Sequence, residues 1–252
     1  MIVYKSPEEI DEMRRAGKIV ADTIDELVDR VRPGITTRQL DELAERSIRS
    51  AGAVPSFKGY RGFPASICTS LNDEVVHGIP GKQRVGEGDI LKLDVGAIWE
   101  GFHADSAVSV YVGDAPSDVV DKLLRVTEES LAAGISELRP AGRLSDVGHA
   151  VQQLVEGAGF AVVREYVGHG VGRLLHEDPQ VPNYGDPGRG PEIRPGLVVA
   201  IEPMVNVGDW RTNVLDDGWT VVTADGSLSA HFEHTIAVTP DGPEVLTARG
   251  SA

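Results

Sequence analysis

The chain has 252 residues, a formal net charge of −15 and one cysteine, Cys68. Its acidic balance excludes a general nucleic-acid binder, which carries a basic face, and the lone cysteine excludes an internal disulfide framework. No apolar run reaches the roughly 18 residues of a membrane span, and MIVYKSPEEI lacks the apolar core of a signal peptide, so the expected location is cytoplasmic.

Ser6-Pro7-Glu8-Glu9 reads as a helix start, with Ser6 as cap, Pro7 at the first helical position and Glu9 completing a capping box. That helix is expected to run to about Arg30 and stop at Pro33-Gly34. Thr36 with Gln39 repeats the signal for a second helix ending near Ser50 and Gly52. A third is expected from about Ser117 to Leu138, stopping at Pro140. A fourth is expected to open at Ser145 and end near Gly157 or Gly159.

Each helix pair is followed by a β-rich stretch, GDILKLDVG in the first half and GLVVAIEPM in the second. Each half also carries a His-Gly pair, His77-Gly78 or His169-Gly170, and a second acid downstream, Asp105 or Glu233. The shared order predicts an internal duplication, about 6–112 and 117–247, within a single domain spanning 1–252. The fold class expected is α+β, a curved antiparallel sheet with outer helices and acids facing a shared axis.

DILKLDVGAIWEGFHADSAVSVYV reads as a hairpin of strands 90–98 and 103–112. A turn centred between Trp99 and Glu100 would set Asp94 directly opposite Asp105, Cβ atoms about 4.5–5.5 Å apart. Two like charges there destabilise a sheet unless a proton or a cation lies between them. Asp94 also stands in an apolar run where a lone charge is costly. Glu202 in GLVVAIEPM and Glu233 in HFEHTIAV repeat the pattern, so four carboxylates converge with charge enough for two divalent ions. His169 offers a neutral nitrogen ligand beside them. Gly168 and Gly170 let the backbone approach the site or a ligand closely. His77 and His176 are candidates for substrate contact. The tail TARGSA reads as unstructured.

NDEVVHGIP, LKLDVGA, HADSA, GHGVG, LHEDP, IEPM and FEHT, in that order and spacing, resemble the type I methionine aminopeptidases of the pita-bread fold over about residues 5–247. The resemblance is to the bacterial kind without an N-terminal extension. It implies metal ligands at Asp94, Asp105, His169, Glu202 and Glu233, with Asp105 and Glu233 bridging two divalent ions (Co, Mn, Fe(II) or Zn). His77 and His176 would contact substrate or stabilise the transition state, and Glu202 would handle the proton of the attacking water. A methionine pocket maps onto Tyr60, Phe63, Cys68, His77 and Trp219, with His176 at its mouth and Phe57 and Leu175 adding to its wall. Cys68 would be wall, not nucleophile. The implied substrates are nascent polypeptide N-termini with a small second residue, met at the ribosome by a monomer without a nucleic-acid motif or membrane segment. One departure is His231, where the family commonly has glutamine; it shares a strand face with Glu233, from which it could add a nitrogen near the metals, and its effect on metal preference is not set by the sequence. The alternatives are an X-Pro peptidase of the same fold and a catalytically dead binding module, which would have lost ligand residues.

Overall fold

In the computed structural model, which describes residues 1–114 and 116–250, helix α1 (Pro7–Val28) begins as its capping box requires. The Ser6 hydroxyl accepts from the Glu9 amide and the Glu9 carboxylate accepts from the Ser6 amide. α1 stops at Val28 rather than Arg30 because the Arg30 and Val31 amides turn back onto the Leu27 carbonyl. Thr36 and Gln39 cap α2 (Thr37–Ser50) in the same way, and Ser117 caps α3 (Asp118–Ser136). α4 (Leu144–Gly157) opens earlier than expected. The Asp146 carboxylate holds the Arg143 amide at the cap position, while the Ser145 hydroxyl accepts from Arg189 N instead.

The hairpin forms between Ile90–Trp99 and Phe102–Tyr111, but its register differs from the expected one. Trp99 pairs with Phe102, Gly96 with Asp105 and Asp94 with Ala107. The turn is the two-residue Glu100-Gly101, with φ of 47° and 80°. Positive φ at both positions matches the twist of the flanking strands, and Gly101 takes it without steric cost. Asp94 and Asp105 are therefore diagonal neighbours, not directly opposed. The shift is even, so both still point to one face.

Leu91, Leu93 and Val95 point to the other face and pack on Val20 and Ile24 of α1 and Leu40 and Ile48 of α2, all fully buried. Period-two alternation then sends Lys92 and Asp94 into the interior. A five-stranded antiparallel sheet runs Gly242–Val245, His234–Thr239, Val198–Ile201, Gly168–Gly170, Glu177–Val181. It joins the hairpin at one bridge, where Ala107 and Glu233 exchange both backbone hydrogen bonds. One side of Ala107 is Asp94 and the other is Glu233. The Thr235 hydroxyl extends the junction, accepting from the Asp105 amide at 2.9 Å and donating to its carbonyl at 2.8 Å.

Gly168 and Gly170 are required by close backbone approach. A Cβ on Gly168 would lie 2.4 Å from the Ala200 carbonyl oxygen, and one on Gly170 would lie 2.2 Å from that of Asp178. The crowding atoms belong to neighbouring chain segments, and the effect is to press the His169 strand into the sheet.

The tail differs from expectation at its start: Thr247 is fully buried, and its hydroxyl meets His234 Nδ1 and the Thr235 amide. Ser251 and Ala252, also read as unstructured, lie outside the described residues. No described helix is long and apolar enough to cross a membrane.

Candidate metal centre and its pocket

Asp105, His169 and Glu233 are buried, and one ligand atom from each lies within 4.8 Å of the other two. His169 Nε2 is 3.6 Å from Glu202 Oε1. Its Nδ1 is 2.9 Å from the Gly170 carbonyl. With the proton on Nδ1, that contact turns the Nε2 lone pair toward the acids. Asp94 completes the group from the adjacent strand, one diagonal step from Asp105.

The electrostatics of this group are costly without a cation. Burial pushes the Asp94 carboxyl up to about 7. Burial and then the Asp94 charge raise Asp105 and Glu202 well above the usual carboxylate range, and burial followed by Asp105 and Glu202 does the same to Glu233. Asp94 Oδ1 and Asp105 Oδ1 are both buried with no hydrogen-bond partner. Orphaned anionic oxygens at that depth are the coordination a divalent cation needs. Burial keeps His169 neutral and able to coordinate. Carboxylate oxygens with one imidazole nitrogen suit divalent first-row ions, so the residues present fit a metal centre.

Beside the acids lies a cavity of about 140 Å³. All the residues expected in its wall line it: Phe57, Tyr60, Phe63, Cys68, His77, Leu175, His176 and Trp219. Phe57, Phe63, Cys68 and Leu175 form an apolar cluster of their own, with Tyr60 and Trp219 packed on it. Phe63 and Trp219 meet edge to face at 5.1 Å. Cys68 pairs with Asp94 across the sheet, and burial beside the acids raises its thiol well above its ordinary value, which disfavours the thiolate.

The two remaining histidines face the same space. His77 sits at φ 62°, a conformation uncommon outside glycine. Burial holds it down to about 4. His176 Nδ1 is 2.9 Å from the Tyr60 hydroxyl, and its ring stacks on Tyr60 at 5.3 Å. Although part of the residue reaches solvent, desolvation in the cavity, then His169 and Arg61, hold it down to about 3. Both rings are neutral near pH 7, so each carries one N–H to give.

His231 is set back from the cavity. The ring is fully buried, and it neither lines the cavity nor joins the metal-ligating group. Burial, and then the charges of His77 and Lys92, hold it down to about 3, and its Nε2 has no partner among the described residues. Strand pairing is interrupted between His231 and His234, and of this stretch only Glu233 lines the cavity.

Three contributors were not singled out from the sequence. Thr235 fixes the Asp105 backbone. Lys92 is almost fully buried and donates to the carbonyls of Asn72 and Ser229, tying the hairpin to both halves; burial lowers it to about 7. Its signal was available, since it shares its strand face with Asp94 inside ILKLDVG. Arg61 lines the cavity mouth from a Gly-flanked turn, and nothing in GYRGF announces that.

An antiparallel two-lobed fold enclosing a buried acid-histidine group and an apolar slot defines a metallopeptidase class, and the chain belongs to metallopeptidase family M24, whose model matches residues 11–240. The methionine aminopeptidase 1 of Bacillus subtilis is 56% identical over 247 residues, covering 98% of this chain and 99% of that protein. A crystal structure of methionine aminopeptidase from Thermotoga maritima superposes with a TM-score of 0.97 at 49% identity, covering 99% of this chain and 100% of that one. A prolidase from Pyrococcus furiosus shares the fold at TM-score 0.81 and 19% identity, with only 66% of its chain covered.

Proposed function

We propose that this protein removes the N-terminal methionine from peptides and nascent proteins, with preference for a small second residue. The observation that carries the reading is the joining of the acid group to an apolar slot lined by Phe63, Cys68 and Trp219. Similarity over nearly the whole chain to proteins named methionine aminopeptidase supports it.

Asp94, Asp105, His169, Glu202 and Glu233 would hold two divalent ions, with Asp105 and Glu233 shared between them. Bound there, such ions supply Lewis acidity and lower the pKa of water. Glu202 takes the proton of the attacking water and passes it to the leaving amine. His77 and His176 donate N–H bonds to the scissile carbonyl oxygen as its charge develops. Tyr60 holds His176 in place through Nδ1, leaving Nε2 to donate. The slot takes the methionine side chain, and the acids fix the free N-terminal amine, which confines cleavage to the first bond. His77 and His176 crowd the mouth, hence the small second residue. The setting we propose is cytoplasmic, on emerging chains at the ribosome, with the protein acting as a monomer.

The test is hydrolysis of Met-Gly-Met-Met by metal-stripped protein, with and without Co or Mn. Methionine release only with metal is expected. Release confined to X-Pro starts would move the reading to a prolidase-type activity.

A further inference from the structure

We propose that Arg61 biases this enzyme toward substrates with an acidic third residue, an inference that rests on the aminopeptidase reading above. The slot opens into a second groove of about 590 Å³, and Arg61, His169 and His176 line both. A peptide with its first side chain in the slot and its first carbonyl at the acids leaves along that shared wall. The second residue lies against the histidines, and the third passes the guanidinium.

Arg61 is a cation of this exit without an ion-pair partner among the described residues. The groove's two acids are already engaged, Glu177 by Lys5 at 2.6 Å and Asp178 by the Met1 ammonium. Arg61 makes no ion pair with any described residue; it lies over the Tyr60 ring, 5.3 Å from its centre. Its charge reaches His176. The backbone places Arg61 at this junction: it has φ 48° between Gly59 at 87° and Gly62 at 90°, and the Gly59 amide closes the loop on the Phe63 carbonyl at 2.8 Å. Three left-handed residues within the four from Gly59 to Gly62 are an uncommon arrangement, and here they place an arginine beside the path that substrate takes.

The experiment compares kcat/KM on Met-Ala-Glu-Gly, Met-Ala-Gln-Gly and Met-Ala-Lys-Gly, all C-terminally amidated, with the metal-loaded full chain. The expected order is Glu over Gln over Lys, with about threefold between the ends, the size of an exposed ion pair. The order should compress as salt rises. Arg61→Asn, which tolerates positive φ, should abolish it, and Arg61→Lys should keep most of it. Equal rates on the three peptides, or the same order in Arg61→Asn, would overturn the proposal. Failure to release methionine from any of them would overturn the activity itself, and this inference with it.

Discussion

Glu202 and Glu233 stand opposite each other at a break in one continuous antiparallel register. Ile201 pairs with His234 on one side of the break and Met204 with His231 on the other. The ladder opens between them, and Glu233 gives its backbone bonds to Ala107 instead. The consequence is that two carboxylates placed face to face have no strand pairing to hold them and a third element to lean on. Neither could stay ionised at that depth without a cation.

Glu202→Ala is expected to lower kcat by about 10²- to 10⁴-fold, the range of a positioned acid-base group. It should also reduce bound metal, because the same carboxylate is 3.6 Å from His169 Nε2. Steady-state kinetics with elemental analysis of the purified variant reads both. An active, metal-replete variant would remove Glu202 from both roles.

His176→Ala should separate the two functions. The residue is held by Tyr60 and lies outside the group formed by Asp105, His169 and Glu233. Metal content is therefore expected to hold while kcat falls by about 10²-fold or more, as for loss of one oxyanion donor. Loss of metal would make His176 a ligand.

Metal affinity should rise with pH. Asp94 is raised to about 7 and its three partners are raised as well, so below neutrality the metal-free group carries protons that an ion must displace. His169 is lowered and contributes none. Each displaced proton is worth about tenfold in affinity per pH unit on the acid side. Titration calorimetry with Mn in buffers of different ionisation enthalpy at pH near 6 should show net proton release. A pH-independent affinity with no release would contradict the raised carboxyls.

Thr235→Val tests the joint between the halves. The substitution keeps the shape and removes the hydroxyl that serves both the amide and the carbonyl of Asp105. A buried amide left unpaired costs about 1–3 kcal/mol, so the melting temperature should fall and metal binding should weaken. Unchanged stability would mean that the backbone of Asp105 is held by its sheet alone.

Much of this molecule was legible in the sequence, because the signals involved are local. Ser6 with Glu9 and Thr36 with Gln39 sit three residues apart, and capping needs nothing further away. An acid inside ILKLDVGAI is costly wherever that strand packs, so Asp94 pointed to a cation before any partner was known. The position of the turn was less secure, since one residue's difference in a hairpin loop is decided by φ at Glu100 and Gly101, and the sequence read it one position early. What only the tertiary structure decided is which side chains meet. His231 is fully buried yet does not line the cavity beside the acids, which its place two residues before Glu233 did not reveal. Thr235, Lys92 and Arg61 act on partners that the chain brings from far away, and proximity across such distances is set by packing of the whole core rather than by any local pattern.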